Sequence, residues 1–416
     1  MGLKDVSVLA YERHEKQVAL QIEQVIGDVL CASCGARAHV KERPVVDYVD
    51  LPVFGTPMVL RWKKHRMVCP NETCNEGSWT LSDHRIAAKG CLLSTRAAKW
   101  ATKQVGQGRT VSEVAGELSC DWHTVSDAVC TYGEALLQAD KRRLNKTSAI
   151  GLDETSFVRV DGRHTSYATT VCDVAHHQII DILPTRNTAD VAKWIRSQPE
   201  AWRHRITYGA LDMSASYAAV YHVTLPRAHQ VVDPFHVVGL ANRTLDQVRR
   251  RVQTETLGHR GRKDDPLYRA RRMLVMGEEK LEGDRATRLQ ALLELGDPHA
   301  EVAISYRVKE RIREFYRTKD PNVARELLDD LVFHCVNRSM PPEIQRLGAT
   351  LRRWFTKICN YHLARITNGP TESMNNLIKR IKRIGFGFRN FHNYRIRVLL
   401  YAGKPNWRVL DSIVVR

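Results

Sequence analysis

Ala149-Ile-Gly-Leu-Asp153 reads as a buried strand carrying an acid at its end, and Ile206-Thr-Tyr-Gly-Ala-Leu-Asp212 repeats the pattern. A run of small and branched apolar residues bounded by polar ones suits a strand covered on both faces. Between them, residues 156–160 continue the first strand, Asp161-Gly162 is a hairpin turn, and 165–174 and 178–183 are two more strands. A helix fits 189–197. After Asp212, Ser214 is placed to cap a helix over 215–222, His229-Gln-Val-Val-Asp233 is a fifth strand, and a further helix starts at Pro234. The order is three hairpin-linked strands, helix, strand, helix, strand, helix. That order matches a ribonuclease-H-like α/β domain, in which the first and fourth strands lie parallel and adjacent. Asp153 and Asp212 would then converge at one sheet edge, where open α/β sheets place their sites.

A third acid comes from far down the chain. Asn368-Gly-Pro-Thr-Glu372-Ser-Met-Asn-Asn-Leu-Ile-Lys-Arg-Ile-Lys-Arg-Ile384 opens a helix after Gly369 and Pro370. Met374, Leu377, Ile378, Ile381 and Ile384 form an apolar stripe, and Glu372, Asn376, Lys379 and Arg383 share the opposite face. By itself this face reads more readily as a solvated one, with Glu372 simply favourable near a helix N-terminus. Taken with Asp153 and Asp212, Glu372 completes a carboxylate set whose mutual repulsion calls for cations. Two magnesium ions about 4 Å apart would meet that need, one activating a nucleophile and one steadying a leaving oxygen in phosphodiester chemistry.

Upstream, Cys31-Ala-Ser-Cys34-Gly and Cys69-Pro-Asn-Glu-Thr-Cys74 are two close cysteine pairs, spaced for one structural four-thiolate zinc ion. Strands are expected at 6–11, 18–25, 45–49 and 57–68, giving a zinc-ribbon-like domain. The strand Leu60-Arg-Trp-Lys-Lys-His-Arg-Met-Val68 offers Arg61, Lys63, Lys64 and Arg66 to phosphates, or is a solvated edge. From 94 to 140 the pattern is helical. Val111, Val114, Ala115 and Leu118 would pack on Val125 and Val129 across a turn at 119–121, a helix-turn-helix candidate. Trp122, His123 and Thr124 begin its recognition helix, expected over 122–130.

The chain of 416 residues carries 64 Lys plus Arg against 46 Asp plus Glu, a formal charge of +18, which suits a polyanionic partner. No apolar run approaches the ~18 residues of a membrane span, and the opening residues lack a signal-peptide pattern. Ten cysteines in this length do not make a disulfide scaffold, so a reducing cytoplasm is the expected compartment. The expected organisation is zinc-ribbon-like domain 1–90, helix-turn-helix 91–146, catalytic core 147–253, helical insertion 254–350, second part of the core 351–402, and peripheral tail 403–416.

These residues reach a known family. Gly151-Leu-Asp-Glu-Thr-Ser156, Leu211-Asp-Met213 with Tyr217, Val231-Val-Asp-Pro-Phe-His-Val237, Asn368 to Asn376, and Gly385-Phe-Gly-Phe-Arg-Asn-Phe391 with Asn393-Tyr-Arg395 resemble the bacterial insertion-sequence DDE transposases of the ISL-three family. The resemblance covers nearly the whole chain, the paired cysteines included. It implies binding to the terminal inverted repeats of an insertion element and metal-dependent cleavage and strand transfer, with magnesium or manganese. Asp153, Asp212 and Glu372 would be the metal-binding triad. Asp233 and His236 resemble a supporting Asp-x-x-His motif, His236 touching a phosphate or flipped base, or capping a helix. Because two ends must be brought together, a homodimer or higher assembly on duplex DNA in the bacterial nucleoid is expected. Two other readings are a silent or domesticated DNA-binding protein, which the full acid set disfavours, and a ribonuclease-H-like nuclease, which the N-terminal recognition units disfavour.

Overall fold

The computed structural model describes residues 3, 5–144, 146–160 and 164–415; the expected turn at Asp161-Gly162 lies outside them. It is a mixed α/β protein of several units. The N-terminal unit has β1 (Val6–Arg13), β2 (Val18–Gln24), β3 (His39–Glu42), β4 (Val45–Val53), β5 (Thr56–Lys63), β6 (Arg66–Val68) and β7 (Ser78–Thr80). They form a four-stranded sheet in the order β1-β2-β5-β4 and a three-stranded one in the order β3-β6-β7. The single strand expected over 57–68 is therefore two strands in two sheets. Met58, Leu60 and Trp62 are buried at period two, whereas the next buried apolar residue is Met67. That spacing is odd, so one straight strand would turn Met67 to the other face. The chain breaks at Lys64-His65 instead, with buried His65 held at the corner 3.1 Å from Glu23.

Next come α1 (Thr95–Gly106), α2 (Val111–Leu118) and α3 (Trp122–Ala139). Thr110 and Glu113 form a reciprocal capping box at the start of α2, and Ser119 turns the chain with a left-handed φ of 51°. The residues expected to pack across this turn are buried in one core. α3 outruns the expected 122–130 because Tyr132 and Leu136 extend its buried stripe. The expectation of a peripheral tail is overturned: α16 (Trp407–Leu410) returns to this unit, and Leu410 and Ile413 are buried in the same core. A Cβ added to Gly106 would sit 2.4 Å from the Trp407 ring, so Gly106 is what admits it.

The central sheet contains β8 (Ala149–Val160), β9 (His164–Asp173), β10 (Gln178–Leu183), β11 (Tyr208–Leu211) and β12 (His229–Val232), in the order β10-β9-β8-β11-β12. β8 pairs antiparallel with β9 and parallel with β11, which pairs parallel with β12. The two pieces expected for the first strand are one continuous strand. On one face of the sheet lie α4 (Thr188–Ser197), α5 (Glu200–Arg205), α6 (Ala215–Thr224) and the start of α7 (Pro234–Leu257). α5 was not expected; buried Trp202 anchors it.

α8 (Pro266–Val275) and α9 (Asp284–Gly296) pack on the far half of α7 around Val248, Leu267 and Leu292. α10 (Glu301–Arg317), α11 (Pro321–Cys335) and α12 (Pro342–Cys359) return to the sheet, and Ile312, Leu328 and Leu351 share its core. The boundaries expected at 253/254 and 350/351 thus fall inside the continuous helices α7 and α12. After α13 (Tyr361–Ala364), α14 (Gly369–Ile384) and α15 (Phe391–Ala402) cover the opposite sheet face through Met374, Ile378, Ile381, Tyr394 and Val398. Among the described residues no helix is long and apolar enough to cross a membrane.

Candidate active site

β8 carries Asp153, the end of β11 leads into Asp212, and the first turn of α14 carries Glu372. Asp153 lies inside β8 rather than at its end. Parallel pairing with β11 stops at Gly151, opposite Ala210, which leaves Asp153 just past the shorter strand. Gly151 also admits α14: a Cβ there would lie 2.3 Å from Thr371 Oγ1 and 2.7 Å from Asn368 Oδ1. The absence of a side chain lets the start of the glutamate helix approach the strand.

His236, in the first turn of α7, joins two of the acids. Its Nε2 lies 3.0 Å from Asp212 Oδ1 and 3.1 Å from Glu372 Oε1. The hydrogen bond to Asp212 is the main cause that raises the imidazole to about 9. Burial, reinforced by the charge of Asp212, pushes the Asp153 carboxyl up to about 6.

Two buried asparagines orient the set. Asn375 Nδ2 donates to Asp153 Oδ2 at 2.6 Å, and its Oδ1 accepts from Thr170 Oγ1 at 3.2 Å. Asn368 Nδ2 donates to Asp212 Oδ1 at 3.0 Å, and its backbone amide donates to Asp233 Oδ2. Asp233 is buried and also accepts from the Phe235 amide at 2.7 Å, capping α7. It is a joint between α7 and α14, set behind the acids. Sequence reasoning named Asn376, which is exposed, and missed Asn375. The available signal was helical spacing: 371, 374, 375 and 378 share the buried face, so Asn375 is a polar residue on an apolar stripe. His236 bridges two of the acids, and the third, half-buried Asp153, is reluctant to ionise; carboxylate oxygens are the donors a divalent cation takes, but these three acids do not close to within 4.8 Å of one another as the cysteine sulfurs do.

The four predicted zinc ligands are brought together. Cys31 and Cys34 lie in the loop before β3, and Cys69 and Cys74 flank the turn between β6 and β7. Their sulfurs all lie within 4.8 Å of one another, with Cys31–Cys74 at 3.7 Å and Cys34–Cys69 at 3.5 Å. A tetrahedral zinc with bonds of about 2.3 Å would space its sulfurs by about 3.8 Å.

The predicted phosphate-binding residues divide. Arg61 pairs with Glu12 at 2.7 Å, Lys63 with Glu23 at 3.7 Å and Arg66 with Glu42 at 2.8 Å. Lys64 lies over the Trp62 ring at 4.3 Å, where burial lowers its ammonium. The chain's own acids and rings therefore engage all four, and the β5–β6 corner splits them between two sheets. By contrast, Asn376, Lys379 and Arg383 stand exposed along α14, and Lys379 and Arg383 have no ion-pair partner among the described residues. Trp122 and His123 are exposed at the start of α3, with Thr124 half-buried beside them.

Comparison with known proteins bears on this geometry. The family model for DDE transposases of the ISL-three type, described as "Transposase", matches residues 150–398. The transposase for insertion sequence element IS1001 of Bordetella parapertussis is 27% identical over 377 residues, 89% of this chain and 88% of that protein. The transposase for insertion sequence element IS1557 of Mycobacterium tuberculosis is 28% identical over 291 residues, 65% of this chain and 63% of that protein.

Proposed function

The chain belongs to the ISL-three family of DDE transposases, and from that premise we propose that it binds the terminal inverted repeats of its own insertion element, cleaves the DNA there and joins it to a target. Asp153, Asp212 and Glu372 hold two magnesium ions, for which manganese can substitute, and the four cysteines hold one structural zinc. The strand order, with three antiparallel strands followed by two parallel ones, supports a ribonuclease-H-like catalytic core. The observation that carries the reading is His236 bridging Asp212, at the end of β11, and Glu372, at the start of α14, with half-buried Asp153 of β8 near enough for its carboxyl to be shifted by the charges of all three.

Asp153, Asp212 and Glu372 would hold the metal pair, which would supply activation of a water or 3′-hydroxyl and charge stabilisation for the leaving oxygen. The protein's share is orientation. Asn375 holds Oδ2 of Asp153, whose Oδ1 accepts from the Glu154 amide at 2.8 Å, and Asn368 holds Oδ1 of Asp212. His236 keeps Asp212 and Glu372 at a fixed separation. Lys379 and Arg383 line up DNA along α14, while the start of α3 reads the repeat as a helix-turn-helix. The paired cations of β5 and β6 contribute less. Two element ends require at least a dimer on DNA.

The test uses duplexes from the DNA flanking the reading frame. Wild type is expected to cut at both repeat ends in magnesium. Glu372→Gln is expected to bind with unchanged affinity and cut at least about a thousandfold more slowly, the loss of roughly 4 kcal/mol of transition-state stabilisation. Loss of binding together with cutting would remove Glu372 from the metal-ligand set. Specific binding by wild type without cutting in any metal would favour a silent DNA-binding protein.

A further inference from the structure

A concavity lies away from the carboxylates, between the three-helix unit and the end of α14. It is a cleft of about 410 Å³. The starts of α2 and α3 form one wall through Thr110, Val111, Trp122 and His123; the turn 385–390 and Asn390 at the start of α15 form the other. Three helix N-termini thus face one space, each contributing positive potential. The starts of α2 and α15 are capped by Thr110 and Asn390. Asp121 makes no such bond at the start of α3, so the first-turn amides there have no side-chain cap.

The feature that points to a ligand is Arg397, which also lines the cleft. It is 5% exposed, and neither Nε nor Nη2 has a hydrogen-bond partner. Among the described residues no carboxylate lies within ion-pair reach of it. Its neighbour Cys130 gives its thiol hydrogen bond to Asn393 Oδ1 at 3.3 Å, and burial pushes that thiol up to about 11, so Cys130 is no counter-ion. Burial lowers the guanidinium only to about 10, and it stays charged at neutral pH. The Phe388 ring lies 5.8 Å from the guanidinium carbon, a distant cation–π contact that leaves both nitrogens without a hydrogen bond, and a buried cation so placed is costly unless an anion completes it. At the rim, Phe386 is 95% exposed between two glycines, a free aromatic face.

We infer that this cleft holds one backbone phosphate of the bound DNA, with Arg397 as its counter-charge, the start of α3 supplying amide donors, and Phe386 against the adjoining base. The inference rests on the DNA-binding reading above. Its consequence is a ruler: Ile384 and Gly385 at the end of the glutamate helix line the same cleft as the start of α3. A phosphate seated there fixes how far the cut bond lies from the sequence being read.

The experiment is a phosphate scan. The full chain is titrated with labelled repeat-end duplexes, each carrying one neutral methylphosphonate. In wild type, one position is expected to weaken binding about tenfold or more, the size of a lost charge-assisted hydrogen bond. Arg397→Gln is expected to weaken the unmodified duplex by a similar factor and to become indifferent to that position alone. Ser112→Glu places a negative charge on the cleft wall from an exposed position in the first turn of α2, where an acid favours the helix. It is expected to fold normally and to reproduce the effect, so the scan stays decisive if Arg397→Gln unfolds. Ser112→Glu binding like wild type, or a folded Arg397→Gln keeping its sensitivity at every phosphate, would overturn the cleft while leaving DNA binding intact. Failure of wild type to bind any repeat-end duplex would overturn the DNA reading and the cleft with it.

Discussion

The cysteine centre and the carboxylate centre are built on opposite plans. The four sulfurs come from two short loops of one small unit and already stand at the spacing of a tetrahedron. The three acids come from two strands and a distant helix; buried asparagines steer the two aspartates, and a histidine stands between Asp212 and Glu372. The first arrangement is closed and suits an ion that holds a fold together. The second is open on one side, with Glu372 44% and Asp212 32% exposed, as a centre must be if it is to admit a substrate.

The contrast can be broken in three places. The largest effect is expected at the cysteines. Cys34→Ser should lose one equivalent of zinc and with it the β3-β6-β7 sheet, since structural zinc contributes on the order of 10 kcal/mol. Metal content and limited proteolysis between residues 30 and 80 would report it. A variant that keeps its zinc and resists protease would show that the fold does not depend on the four-sulfur plan. Next is Gly151→Ala. The new methyl group meets Thr371 and Asn368, both fully buried, so the start of α14 must shift. Cutting should fall about a hundredfold from misplacing Glu372, with thermal stability lowered by about 1–3 kcal/mol from overpacking and repeat binding retained. Cutting at the wild-type rate would mean that the close approach of helix and strand is dispensable. The smallest is Asn375→Ala, which frees Asp153. The magnesium concentration for half-maximal cutting should rise about tenfold. An unchanged requirement would leave Asn375 a mere filler of the α14 interface.

How much of this was legible follows the same division. The cysteine pairs were readable because their spacing is local. Strand and helix order was readable from periodicity, and the acids from where that order placed them. What escaped depended on distant partners. Asn375 and Asn376 are indistinguishable as residue types, and only the packing of α14 on β8 and β9 sends one inward. The cations of β5 and β6 looked like a phosphate-binding strand until Glu12, Glu23 and Glu42 arrived from neighbouring strands. The limits of the helical insertion follow composition, whereas α7 and α12 run straight through them: the first half of α7 and the buried stripe of α12 belong to the core of the sheet, and the far half of α7 carries α8 and α9.

The return of α16 to the three-helix unit has a consequence for how the protein is made. Ile396, Leu400, Leu410 and Ile413 sit in the core formed by α1, α2 and α3. That core therefore stays unfinished on the ribosome until the chain has been synthesised through Ile413. A fragment released early would carry α1, α2 and α3 without the side chains that α15 and α16 add to their core, and, on the function proposed above, repeat recognition would be completed only after the acids of the central sheet have been made.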